Sequence, residues 1–139
     1  MKVFVSGCFD LLHSGHVTFL QEAAKYGNLY VGVGSDKTIE EIKGVKPIYT
    51  QEERKYILQA LRCVHKVFIN LGIGKMDFIQ TVLFIQPDIF YVNEDGAFEE
   101  KTQFCKKHNI KMIIHKRIPF HQLPRRSTTQ IKQCINDTI

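Results

Sequence analysis

No stretch of the 139 residues comes near the roughly eighteen consecutive apolar residues that a membrane span requires. The opening Met1-Lys2-Val3-Phe4-Val5-Ser6-Gly7 breaks at glycine too soon for a secretory leader, so a cytoplasmic, soluble protein is expected. Four cysteines (Cys8, Cys63, Cys105, Cys134) lie far apart with no CxxC pair, which excludes a zinc ribbon. Without a secretory signal they also argue against a disulfide scaffold, and they read as free thiols. Nine Gly and four Pro beside 44% hydrophobic residues exclude collagen, coiled coil and wholesale disorder. Acid is missing too. From Lys101 to Asn136 there is no Asp or Glu, while nine Lys and Arg fall there, within a formal net charge of +5. An anionic partner follows: a nucleotide, a nucleic acid or a phosphorylated small molecule.

The chain carries a regular alternation. Short apolar runs at residues 2–7, 29–33, 64–69, 88–92 and 110–115 read as strands. Between them, residues 14–27, 36–42, 50–61, 75–85 and 98–108 read as helices, and a last helix starts at Ser127. Ser14 is the expected N-cap of the first helix. Thr50 with Glu53, and Ser127 with Gln130, fit capping boxes. Strands that are apolar throughout, separated by helices, predict a five-stranded parallel sheet covered on both faces. That is a single doubly wound, Rossmann-like α/β domain over residues 1–139. In this architecture ligands bind beyond the carboxyl ends of the strands.

Gly7-Cys8-Phe9-Asp10-Leu11-Leu12-His13-Ser14-Gly15-His16 falls at that position, between the first strand and the first helix. A helix N-terminus offers unpaired N–H groups and a positive dipole end to phosphate. Gly7 and Gly15 remove side chains where phosphate could approach the backbone. His13 and His16, three apart, can share a face and supply two donors to charge developing on a phosphoryl oxygen. The bland reading of such a pair is two structural histidines. A metal pair is the other alternative, although no further Cys or His stands at ligand spacing. Gly32-Val33-Gly34 lacks the third glycine of a dinucleotide fingerprint and reads as a strand end.

The ten-residue string resembles the signature of the HxGH nucleotidyltransferases, in the cytidylyltransferase-like branch that includes glycerol-3-phosphate cytidylyltransferase and the heptose-1-phosphate adenylyltransferase domain. The resemblance spans nearly the whole chain. It takes in Gly32 to Asp36, the loop with Lys43 and Lys46, the Glu53-Arg54-Lys55 helix, and Arg126 to Lys132. It implies in-line attack by an acceptor phosphate on the α-phosphorus of a nucleoside triphosphate, with release of pyrophosphate. By that resemblance His13, His16, Lys43 and Lys46 are catalytic. Gly7, Cys8, Phe9, Asp10, Gly15, Arg62, Asn93, Asp95, Arg126, Ser127, Thr128 and Thr129 bind the nucleotide, and Asp36 and Lys75 bind the acceptor. Mg²⁺ on the phosphates and a homodimer are also implied, with no protein metal site, nucleic acid or membrane.

The sequence departs from the family at Val92-Asn93-Glu94-Asp95-Gly96, at His65, and at His121-Gln122-Leu123-Pro124-Arg125-Arg126, where a glycine is usual. Ser127-Thr128-Thr129 stands nearer the cytidylyl form, so CTP with a polyol or sugar phosphate is the leading expectation. ATP with heptose 1-phosphate or FMN is the alternative. A non-catalytic nucleotide or nucleic-acid module is the remote one, weakened because only Phe104 and Phe120 interleave the basic residues.

Overall fold

A computed structural model describes residues 1–116 and 123–138. Arg117, Phe120, His121 and Gln122, which carry part of the sequence reading, lie outside the described residues. The element order is β1 (Lys2–Gly7), α1 (Ser14–Ala24), β2 (Asn28–Val33), α2 (Asp36–Lys43), α3 (Gln51–Gln59), β3 (Lys66–Ile69), α4 (Ile79–Ile85), β4 (Ile89–Asn93), α5 (Glu99–Lys107), β5 (Lys111–His115) and α6 (Thr128–Thr138). Five parallel strands lie in the order β3-β2-β1-β4-β5. The chain thus starts in the middle of the sheet and winds outward in both directions, as the alternation predicts.

Side-chain alternation along β1 explains the two faces. Val3 and Val5 pack with Leu29, Val31, Phe19, Leu20 and Leu58, beneath α1 and α3. Phe4 points the other way, to Phe78, Val82, Ile85, Phe90 and Cys105, beneath α4 and α5. There Phe90 takes Phe4 and Phe78 edge-on, each with centroids 5.0 Å apart, the geometry that the aromatic quadrupole favours. Among the described residues no helix is long and apolar enough to cross a membrane.

Several boundaries differ from the sequence expectation: α1 and α3 end earlier, at Ala24 and Gln59, and β3 starts later, at Lys66. α4 begins at Ile79 rather than residue 75, because the preceding segment folds on itself: Gly72 N–H bonds the Asp77 carbonyl and Asp77 N–H bonds that of Gly74. The cap of α1 is His13, not Ser14.

Candidate active site

Beyond the carboxyl end of β1 the chain turns through Cys8 to Leu12 into α1. A cleft there is lined by Ser6, Gly7, Cys8, Phe9, Asp10, His13, Gly15, His16, Phe19, Lys43, Asn93, His115 and Thr128. It gathers residues from β1, α1, β4, β5 and α6 together with the end of α2, which only the doubly wound order brings to one place.

The two histidines build the helix start themselves. Gly15 N–H donates to His13 Nδ1 at 3.1 Å, and His13 N–H donates to His16 Nδ1 at 3.2 Å. Their rings stack with centroids 3.8 Å apart. A nitrogen that accepts a backbone N–H carries no proton of its own, so the neutral rings hold theirs on Nε2. The sequence rule favours Ser at this cap, and Ser14 is instead the first helical residue. Gly15 follows from the same geometry. A Cβ there would meet His13 Cε1 at 2.9 Å and Nδ1 at 3.0 Å. Gly15→Ala should therefore displace the His13 ring and cost about ten- to a hundredfold in turnover. Its melting temperature should stay near wild type, since the gain in helix propensity offsets the weakened cap. A G15A enzyme with unchanged kcat would show that the ring position is irrelevant.

Cys8 and Lys43 meet in this cleft. Burial pushes the Cys8 thiol up, against the opposing pull of the Lys43 and Arg54 charges. A neutral thiol suits a wall residue rather than a covalent nucleophile. Thr128 Oγ1 donates to the Leu11 carbonyl at 3.1 Å, tying α6 to the turn, and Ser127 Oγ accepts from Gln130 N–H at 3.1 Å. Asn93 Oδ1 accepts from Gly96 N–H at 2.7 Å, which closes the short 3-10 turn after β4.

Several expected site residues stand elsewhere. Asp10, 2% exposed, receives the N–H groups of Ile48 and Tyr49 at 2.9 and 3.1 Å, and Lys132 lies 3.8 Å away. Asp10 lines the cleft, and its carboxylate oxygens clasp the loop before α3. Arg62 follows α3 at the amino ends of the strands, near His65, whose N–H bonds the Leu29 carbonyl at the start of β2. The topology places it on the opposite edge of the sheet from the cleft. Lys75 is exposed and pairs with Glu100 at 3.4 Å, outside the cleft. Asp36 pairs with Arg54 at 2.8 Å. Lys46, Asp95, Arg126 and Thr129 do not line the cleft, and the Arg126 side chain lines a separate groove along α6.

Arg54, in the Glu53-Arg54-Lys55 stretch that the resemblance takes in, is 1% exposed. Its guanidinium donates to the Tyr49, Cys8 and Gly34 carbonyls at 3.0, 2.9 and 2.6 Å and to Asp36 at 2.8 Å. His115 and Tyr91 had no functional signal in the sequence. Tyr91 Oη and His115 Nδ1 share a hydrogen bond at 2.6 Å, and burial pushes the phenol up to about 12. The one available cue was that His115 ends a strand, where a doubly wound sheet faces its ligand.

The model of the cytidylyltransferase-like family matches residues 4–135. The chain belongs to the cytidylyltransferase-like family. It is a nucleotidyltransferase, and the fold described above is that of this family. An FAD synthase of Thermococcus kodakarensis is 35% identical over 142 residues, covering 99% of this chain and 93% of the relative. The bifunctional protein HldE of Geobacter sulfurreducens is 52% identical over 82 residues, which cover 58% of this chain and 17% of HldE. Among solved structures, a lipopolysaccharide core biosynthesis protein from Thermoplasma volcanium superposes with a TM-score of 0.71 at 28% identity, covering 85% of this chain and 98% of that one.

Proposed function

We propose that this nucleotidyltransferase moves AMP from ATP to the terminal phosphate of FMN, forming FAD and pyrophosphate. The observation that carries the reading is the near end-to-end match, in both chains, to a relative named FAD synthase. The adenylyl alternative of the sequence thereby displaces the CTP expectation. HldE matches this chain at higher identity over a shorter stretch, which supports adenylyl transfer to a sugar phosphate as a second reading.

In the proposed reaction an FMN phosphate oxygen forms the new bond to the α-phosphorus of ATP. The bond from that phosphorus to the bridging oxygen breaks, and pyrophosphate leaves with the electron pair. No covalent enzyme intermediate is needed, so the protein contributes alignment and charge stabilisation. The Nε2–H groups of His13 and His16 suit donation to the α- and β-phosphates, and Lys43 adds a positive charge on the facing wall. The start of α6, with Ser127 and Thr128, offers N–H groups to the outer phosphates. Among the described residues no three His, Cys, Asp or Glu gather into a metal site. Mg²⁺, which divalent-dependent nucleotidyltransferases commonly use, would be carried by triphosphate oxygens and water rather than by a protein cage.

The test is pyrophosphate release from wild type with Mg²⁺, offering ATP or CTP against FMN or heptose 1-phosphate. Formation of FAD from ATP and FMN, with CTP at least tenfold poorer, is the expected result. Product only with CTP would overturn the adenylyl reading, and product only with the sugar phosphate would replace FMN.

A further inference from the structure

Two charged side chains lie behind the cleft on the α4–α5 side and close no ion pair with each other. Lys101, in the first turn of α5, is 7% exposed, and its ammonium stands over Phe78, Phe90 and Phe98 at 5.4, 5.1 and 4.9 Å. It donates to no oxygen among the described residues. No fully buried side-chain nitrogen or oxygen there lacks a partner, so this amine keeps a contact with solvent. Asp77, 6% exposed, accepts from Asn70 Nδ2 at 3.3 Å, and Asn70 in turn donates to Ser6 Oγ at 3.2 Å. Burial pushes the Asp77 carboxyl up and the Lys101 amine down to about 8, and each opposite charge counters the other's shift.

Neither group lines the cleft, but each stands across a glycine from a residue that does. Asp77 Oδ2 and Cys8 Sγ lie 3.6 and 3.5 Å from the point where a Cβ on Gly34 would stand. Lys101 Nζ and Asn93 Oδ1 lie 3.6 and 2.9 Å from the same point on Gly96. Ser6, Cys8 and Asn93 all line the cleft. A cation and an anion that are both desolvated, and held apart, lower stability unless something joins them. Together they carry no net charge, so the group that fits is uncharged and presents one donor and one acceptor. Phe98 lies half-buried between the ammonium groups of Lys75 at 5.2 Å and Lys101 at 4.9 Å, and offers a flat apolar surface.

We propose that Asp77 and Lys101 hold the polar ring edge of the acceptor, with a ring N–H donating to Asp77 and the adjacent ring carbonyl accepting from Lys101. This inference rests on the FMN reading, since the isoalloxazine ring of FMN carries an imide edge of that pattern. Sugar or ribityl hydroxyls present the same donor–acceptor chemistry, and the test separates the two sources.

The experiment compares wild type, Lys101→Met and Asp77→Asn, titrating FMN at saturating ATP and ATP at saturating FMN. Lumiflavin, which keeps the imide edge and lacks the ribityl chain, serves as competitor. Methionine suits the aromatic surround and removes a buried charge, so K101M should melt no lower than wild type. In D77N the new amide must turn its NH₂ toward either the Asn70 amide or the ring N–H, opposing donor to donor. Each variant is expected to raise the KM for FMN at least tenfold, to leave that for ATP within twofold, and to lose inhibition by lumiflavin. An FMN KM within twofold of wild type, or a parallel rise for ATP, overturns the proposal. Lumiflavin inhibition that is equal in all three proteins overturns the ring-edge assignment in favour of hydroxyls. A wild type that forms no FAD removes the FMN reading and this inference with it, whereas an active wild type with unmoved variants removes the inference alone.

Discussion

Replacing His16 by Ala is expected to lower kcat by about a hundredfold or more while the chain still folds. In the proposed reaction His16 serves the phosphates as well as the helix. Its Nδ1 accepts the His13 N–H at 3.2 Å, and its ring stacks on that of His13 with centroids 3.8 Å apart. Alanine removes a donor to the phosphates and one half of the cap, and the lost cap costs about 1 kcal/mol. His16→Asn separates the effects. Its side-chain oxygen can still accept the His13 N–H, so helix stability should return while turnover stays low. Pyrophosphate release and thermal unfolding on the same three proteins check this. An H16A enzyme within fivefold of wild type would remove the histidine pair from the mechanism.

Arg54→Ala should be the most destabilising single change, by about 3–5 kcal/mol. The ion pair with Asp36 contributes the smaller share, because the aspartate side chain is 38% exposed and water screens it. The larger share comes from the carbonyls of Cys8, Gly34 and Tyr49, which lose their donor inside the fold. Lysine offers a single ammonium to four scattered acceptors, so Arg54→Lys should recover only part of the loss. Urea unfolding measures both, with an unchanged m-value as evidence that the native state is otherwise intact. A loss below 1 kcal/mol for R54A would mean that water replaces the guanidinium at no cost.

The fold was legible because its signals are local: apolar strand runs, capping residues and their alternation. The Thr50–Glu53 capping box, for example, closes as expected, with Glu53 N–H on Thr50 Oγ1 at 3.2 Å. The turn that lines the cleft was legible for the same reason, being one continuous string from Gly7 to His16. What escaped depends on contacts between distant segments. Arg54 lies among the polar residues of α3 and looks solvated, yet its partners are 46 and 20 residues away. Arg62 was placed by resemblance, and only the direction in which α3 runs shows that it ends at the far edge. His115 joins the cleft because β5 neighbours β4, a pairing that no local pattern encodes. The buried Asp77 sits in a glycine-punctuated segment that the apolar period misreads as helix.

The clasp at Asp10 limits how far the lysine loop can travel. α2 ends at Lys43, with Gly44 left-handed at φ 73°, and four residues later Ile48 is fastened to Asp10 inside the turn between β1 and α1. The four residues from Gly44 to Pro47 extend to about 14 Å at most. Lys46 thus rides on a tether anchored at both ends. Inserting residues between Gly44 and Pro47 would lengthen that tether without touching a single side chain in the cleft.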